Sequence, residues 1–144
     1  MNIIFVCHGN ICRSPMAEFV MKELCKEQGL SSRLTITSAG VSSEEEGNDM
    51  YPPAKRMLRA KGVPFSRHRA HRITDSEFYD SDLVLVMDWS NRRILERRFG
   101  RDGRIRMLLS RDIADPWYTE DFETAYDDIL RGCKSLLSEI AGRA

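Results

Sequence analysis

With 144 residues, 22 basic and 22 acidic side chains and a formal net charge of zero, the chain has the size of one domain able to bury a core, spanning 1–144, and its charge balance gives no case for nucleic acid or an acidic membrane. No apolar run approaches a membrane span and the N-terminus lacks the basic-then-apolar pattern of a secretory leader, so the expected compartment is the cytoplasm. Four cysteines in such a chain are expected as thiols rather than as a disulfide framework.

The first predicted element is a buried strand over Ile3–Val6, apolar and largely β-branched. Cys7 follows it. Pro15 suits the first position of a helix, where its missing N–H leaves no bond unmade, and Ser14 is then the expected N-cap. That helix carries Ala17, Val20, Met21, Leu24 and Cys25 on one side and stops near Gly29. A second strand is expected over Leu34–Ser38, ending at Ala39-Gly40, and a loop from Val41 to Pro53. Ala54, Met57 and Leu58 mark a helix closed by Gly62, followed by a loop with Pro64, His68 and His71.

Thr74 or Asp75 is expected to cap a short helix before Leu83–Met87, a continuous apolar run typical of a buried parallel strand. Asp88 follows, then a helix over Ser90–Phe99, a fourth strand over Ile105–Leu109, a turn at Asp115-Pro116-Trp117-Tyr118, and a long helix from near Asp121. The last helix buries a stripe that includes Tyr126, Ile129, Cys133 and Leu137, so Cys25 and Cys133 read as core fillers. Strands and helices alternate throughout, which predicts a four-stranded parallel sheet, doubly wound with helices on both faces, and a site at the carboxyl ends of the strands. Seven arginines between Asn91 and Arg106, and the acidic run Glu44-Glu45-Glu46, read either as solvated faces or as charges that steer a protein partner.

Five residues, His8-Gly9-Asn10-Ile11-Cys12, separate Cys7 from Arg13. A loop of that length next to a helix N-terminus can curl so that its amides form a concave anion site, to which Arg13 adds a planar two-pronged donor and Ser14 a hydroxyl. Gly9 allows close backbone approach and Asn10 tolerates the left-handed region. Amides and guanidinium together favour a thiolate at Cys7, facing the phosphorus of a bound phosphate or similar oxyanion. A bland alternative is a buried cysteine ending a strand.

The full string Val6-Cys7-His8-Gly9-Asn10-Ile11-Cys12-Arg13-Ser14-Pro15 resembles the low-molecular-weight protein tyrosine phosphatases. The likeness extends over nearly the whole chain, through Ser38-Ala39-Gly40, His68-x-Ala70, Met87-Asp88-x-x-Asn91 and the Asp-Pro-aromatic-aromatic motif at Asp115. It implies the flavodoxin-like fold of phosphotyrosine phosphatases and metal-free, cofactor-free hydrolysis of protein phosphotyrosine through a cysteinyl phosphate. By the same resemblance Asp115 is the general acid, where the residues alone leave an ordinary turn open, and Trp117 and Tyr118 are aromatic walls. Asn10, Ser38 and His68 are implied to hold the loop, Ser14 to bond the Cys7 sulfur, Asp88 to orient the region near Asp115, and Cys12 to act as redox partner of Cys7. The phosphoprotein is the only partner implied.

Several positions depart from the family pattern. Glu44 or Glu45 falls where an aromatic wall is usual, His71 where an arginine is usual, Trp117 where tyrosine is usual, and His8 where a small or apolar residue is common. Three other functions share parts of the pattern. Thioredoxin-coupled arsenate reductases need two further cysteines on a mobile mid-chain segment, and 72–90 contains none. Arginine phosphatases tend to carry threonine where Ile11 stands. A non-catalytic phosphate-binding module needs no Cys7 and Asp115 together.

Overall fold

The computed structural model describes residues 1–142. Four parallel strands form one sheet in the order β2-β1-β3-β4: β1 (Asn2–Cys7), β2 (Thr35–Gly40), β3 (Leu83–Val86) and β4 (Ile105–Met107). Six helices connect and flank them: α1 (Arg13–Glu27), α2 (Pro52–Ala60), α3 (Asp75–Asp80), α4 (Trp89–Phe99), α5 (Pro116–Thr119) and α6 (Phe122–Ala141). Because β1 pairs with β2 on one side and β3 on the other, the chain switches direction across the sheet at the carboxyl end of β1, where Cys7 stands.

Side-chain alternation sorts the strands between two cores. Ile3, Phe5, Cys7, Leu85 and Met87 face the larger one, built with α1, α2 and α6, while Ile4, Val6, Val84 and Val86 face a smaller one with Phe78 of α3 and Leu95 of α4. Each such side chain contributes about 1.5–3 kcal/mol when fully buried. Cys25 and Cys133 lie in the larger core, and burial pushes both thiols up from their ordinary pKa.

Several expected boundaries move. The helix expected after Pro53 begins at Pro52, since both prolines fit its first turn. β4 stops at Met107 rather than Leu109: Leu108 still donates to Val86 O at 2.9 Å, but its side chain packs against Gly132 of α6, where a Cβ would stand only 2.6 Å from Leu108 Cγ. Asp115-Pro116-Trp117-Tyr118 opens the one-turn helix α5 instead of a simple turn, with Pro116 at its first position and Asp115 as N-cap. Among the described residues no helix is long and apolar enough to cross a membrane.

Candidate active site

Cys7 ends β1 and is buried, and the chain then turns through residues 8–12 into α1. Asn10 takes the left-handed conformation, φ 61°, at the tightest point of this loop. Gly40, paired with Cys7 in the sheet, lies so close behind it that a Cβ would stand 2.7 Å from His8 O. Past that glycine Val41 N donates to Cys7 O at 2.9 Å and Ser42 N to His8 O at 3.1 Å, so the chain leaving β2 holds the loop backbone.

Ser14 is not the N-cap. Helix α1 begins two residues earlier, with Cys12 as N-cap and no side-chain cap bond. The Ser14 hydroxyl is engaged elsewhere, 2.9 Å from Cys7 Sγ, 2.8 Å from Asn10 Nδ2 and 3.3 Å from Ala39 O. With no side chain capping the helix, the N–H groups of its first turn retain their capacity for an anion.

Asn10 ties the loop to its surroundings. Its Nδ2 also donates to Ser38 Oγ at 3.1 Å, its carbonyl oxygen lies 2.7 Å from His68 Nε2, and its Oδ1 accepts from His71 N at 3.2 Å. Burial pushes the His68 pKa below its ordinary value, which the bond to Asn10 O only partly offsets. His71, read from the sequence as a surface loop histidine, is half-buried and paired with Glu77 at 2.8 Å, and that bond raises its pKa.

Arg13 is only 2% exposed. Its Nη1 donates to Asp88 Oδ2 at 2.8 Å and Ile113 O at 2.7 Å, and its Nη2 to Asp115 Oδ2 at 3.3 Å. Burial alone would lower its pKa, but the charges of Cys7, Asp115 and Asp88 carry it upward, so the guanidinium is fixed as a cation. Arg13 Nε is buried and has no hydrogen-bond partner among the described residues, the condition expected of a donor reserved for an anion. Asp88 thus meets Asp115 through the Arg13 guanidinium, while its Oδ1 caps α4 by accepting from Asn91 N at 2.8 Å.

An open cleft joins these groups, lined by Cys7, the loop residues His8, Gly9, Ile11 and Cys12, Arg13, Glu44, Glu45, Asp115, Trp117 and Tyr118. Trp117 packs on Tyr51 with ring centroids 4.7 Å apart, and both Trp117 and Tyr118 are exposed. Asp115 Oδ1 accepts from Trp117 N at 3.1 Å, which aims its other oxygen at Arg13. His8 stands 3.6 Å from Glu44. Asn10, Ser14, Ser38 and His68 lie beneath this cleft rather than in its lining.

Two supporting residues had escaped the sequence reading. Glu18 Oε1 accepts from Ser38 Oγ at 2.6 Å while its Oε2 pairs with Lys22, and only the i,i+4 spacing to Lys22 hinted at an ordered side chain. Asp49 accepts from His68 N at 2.9 Å and pairs with Lys55; burial opposes its ionisation, but Lys55 and the amides of His68 and Met50 bring its pKa down to about 2.

The model of the family described as low molecular weight phosphotyrosine protein phosphatase matches residues 2–143. The low molecular weight protein-tyrosine-phosphatase YfkJ of Bacillus subtilis is 33% identical over 97% of this chain and 96% of its own, and its crystal structure superposes with a TM-score of 0.95, covering 99% of this chain and 96% of that one. The human low molecular weight phosphotyrosine protein phosphatase is 37% identical over 96% and 94% of the two chains. A Drosophila arginine phosphatase is also similar, with TM-score 0.88 and 30% identity over 97% of this chain and 98% of that one. The chain therefore belongs to the low-molecular-weight phosphotyrosine protein phosphatase family.

Proposed function

We propose that this chain hydrolyses phosphotyrosine in proteins, and small aryl phosphates, by a metal-independent double displacement through Cys7. The observation that carries the proposal is the convergence on one cleft of the Cys7 sulfur, an uncapped helix N-terminus, the fixed Arg13 cation with its unpartnered Nε, and Asp115.

In the first step Cys7 thiolate attacks the phosphorus in line, forming the S–P bond as the P–O bond to the phenol breaks. The amides of residues 8–13 and Arg13 hold the three equatorial oxygens, and Asp115 gives its proton to the departing oxygen. In the second step Asp115, now a carboxylate, takes a proton from water as that water attacks phosphorus and the S–P bond breaks. Ser14 donates to the sulfur as it regains negative charge. Tyrosine and inorganic phosphate result.

The apolar Ile11 with Trp117 and Tyr118 on the cleft lining suits an aromatic ring, which favours phosphotyrosine over phosphoarginine. A reduced Cys7 is required throughout, which fits work in the cytoplasm.

The test is release of phosphate in EDTA from a phosphotyrosine peptide, a phosphoarginine peptide and p-nitrophenyl phosphate, by the wild type and by Cys7→Ser. Turnover of the tyrosine and aryl substrates by the wild type alone is expected. A clear preference for the phosphoarginine peptide overturns the substrate assignment, and appreciable turnover by Cys7→Ser overturns the covalent route.

A further inference from the structure

Building on the phosphotyrosine reading, we propose that Glu44 and Glu45 make this cleft selective for phosphotyrosine flanked by lysine or arginine. Both glutamates line the cleft, and with Asp115 they put three carboxylates on its lining. Among the described residues the one guanidinium on the lining, Arg13, is already engaged by Asp88 and Asp115. Its unpartnered Nε, on a side chain 98% removed from solvent, independently marks the cleft as a place for an anionic ligand. A phosphate dianion must therefore enter between acidic side chains, at an electrostatic cost that cationic neighbours in the substrate would relieve.

Glu45 is held through its side chain and Glu44 through its backbone. Glu45 packs over the phosphate loop, its Cγ only 3.3 Å from where a Cβ on Gly9 would stand, and its Oε2 accepts from Asn48 Nδ2 at 2.7 Å. Glu44 N donates to Ser42 Oγ at 3.0 Å, and its carboxylate, with the side chain 73% exposed, reaches out past His8 at 3.6 Å. Backbone bonds from Gly47 N to Ala70 O and from Ala70 N to Asn48 O, each 2.7 Å, fasten this segment to the loop that carries His68. Glu46 differs: its Oε2 accepts from Arg72 N at 3.1 Å and it does not line the cleft. Glu44 and Glu45 thus present negative charge where the residues on either side of a phosphotyrosine would pass, and an ammonium or guanidinium there finds an acceptor.

Each solvent-exposed pair of this kind is worth roughly 1.4- to fivefold in affinity, so two such pairs amount to about two- to twenty-fivefold in kcat/KM. The experiment compares two phosphotyrosine peptides of equal length, one with lysine and arginine flanks and one with aspartate and glutamate, in low and high salt. The wild type is expected to prefer the basic peptide by about two- to twenty-fivefold at low salt, with the ratio shrinking as salt is added. Glu44→Gln/Glu45→Gln should bring the ratio close to one, Glu44→Lys/Glu45→Lys should reverse it, and Glu46→Gln should leave it as in the wild type. A wild type that hydrolyses both peptides with equal kcat/KM overturns the inference while the phosphotyrosine reading stands. Loss of preference in Glu46→Gln as large as in the double glutamine variant also overturns it, because net charge would then be the cause. A wild type inert toward both peptides overturns the phosphotyrosine reading and this inference with it.

Discussion

The Ser14 hydroxyl stands 2.9 Å from the Cys7 sulfur. A thiolate can only accept, so a bond between the two uses the Ser14 proton, for which Ala39 O at 3.3 Å is the other acceptor, while Asn10 Nδ2 donates to the hydroxyl oxygen at 2.8 Å. In the proposed reaction this bond strengthens whenever charge returns to sulfur, above all as the cysteinyl phosphate breaks down.

Ser14→Ala is expected to lower kcat for a phosphotyrosine peptide by roughly ten- to hundredfold, the scale of one hydrogen bond to a charged group. The loss should fall mainly on the second step, so rapid-quench kinetics should show a larger burst of phenol than in the wild type. A variant slowed with no burst would place the hydroxyl's effect on the attack step instead.

Asp115→Asn is expected to slow phosphotyrosine hydrolysis by roughly 10²–10⁴, the range of general acid catalysis. A leaving group that needs little protonation loses less, so p-nitrophenyl phosphate should be affected distinctly less in its first step. Equal losses for the two substrates would mean that Asp115 acts through its contact with Arg13 rather than as proton donor.

What could be read from the sequence followed the range of the interactions. Cys7, the five loop residues and Arg13 are contiguous, and their chemistry follows from a strand, a short loop and a helix start. The sheet was equally legible, because Ile3–Val6 and Leu83–Met87 are unbroken apolar runs between helices. Contacts between distant residues were not, outside those the family resemblance implied. Glu18 with Ser38, Asp49 with His68 and Arg13 with Asp88 are separated by 20, 19 and 75 residues, and no local spacing marks them as partners. Ser14 misled for a different reason: its side chain suits an N-cap, but the buried sulfur and Asn10 compete for the same hydroxyl. The four residues of α5 were hidden because Asp-Pro marks a turn as readily as a helix start.

His68 and His71 should shift stability with pH in opposite directions. The folded pKa of His71 is raised, chiefly by its bond to Glu77, so its contribution is full below the unfolded value near 6.5 and is lost as pH rises through the folded value. The folded pKa of His68 is lowered by burial, so the unfolded chain binds its proton more readily and stability rises with pH up to about 6.5. Unfolding free energies measured from about pH 5 to pH 9 should show His71→Gln losing the decline on the alkaline side and His68→Gln losing the rise on the acid side. Unchanged slopes in both variants would contradict the two assignments.

Cys12 lies on the same cleft lining as Cys7, and burial, reinforced by the charge of Cys7, pushes its thiol pKa up. Oxidation is therefore expected to begin at Cys7, giving a sulfenic acid that condenses with the Cys12 thiol to a disulfide and water. Peroxide should inactivate the wild type, thiol should restore it, and Cys12→Ser should lose the recovery. Mass spectrometry that finds Cys7 as sulfinic acid in the wild type, with no Cys7–Cys12 link, would contradict this.

The central claim is that phosphate passes through Cys7, and its most direct test is chemical trapping. Wild type mixed with a phosphotyrosine peptide, quenched within one turnover and digested, is predicted to carry one phosphoryl group on the peptide containing Cys7, and Cys7→Ser to release no phosphate under steady-state conditions. Phosphate release at the wild-type rate by Cys7→Ser, with no phosphoryl group on the Cys7 peptide of the quenched wild type, would contradict the account.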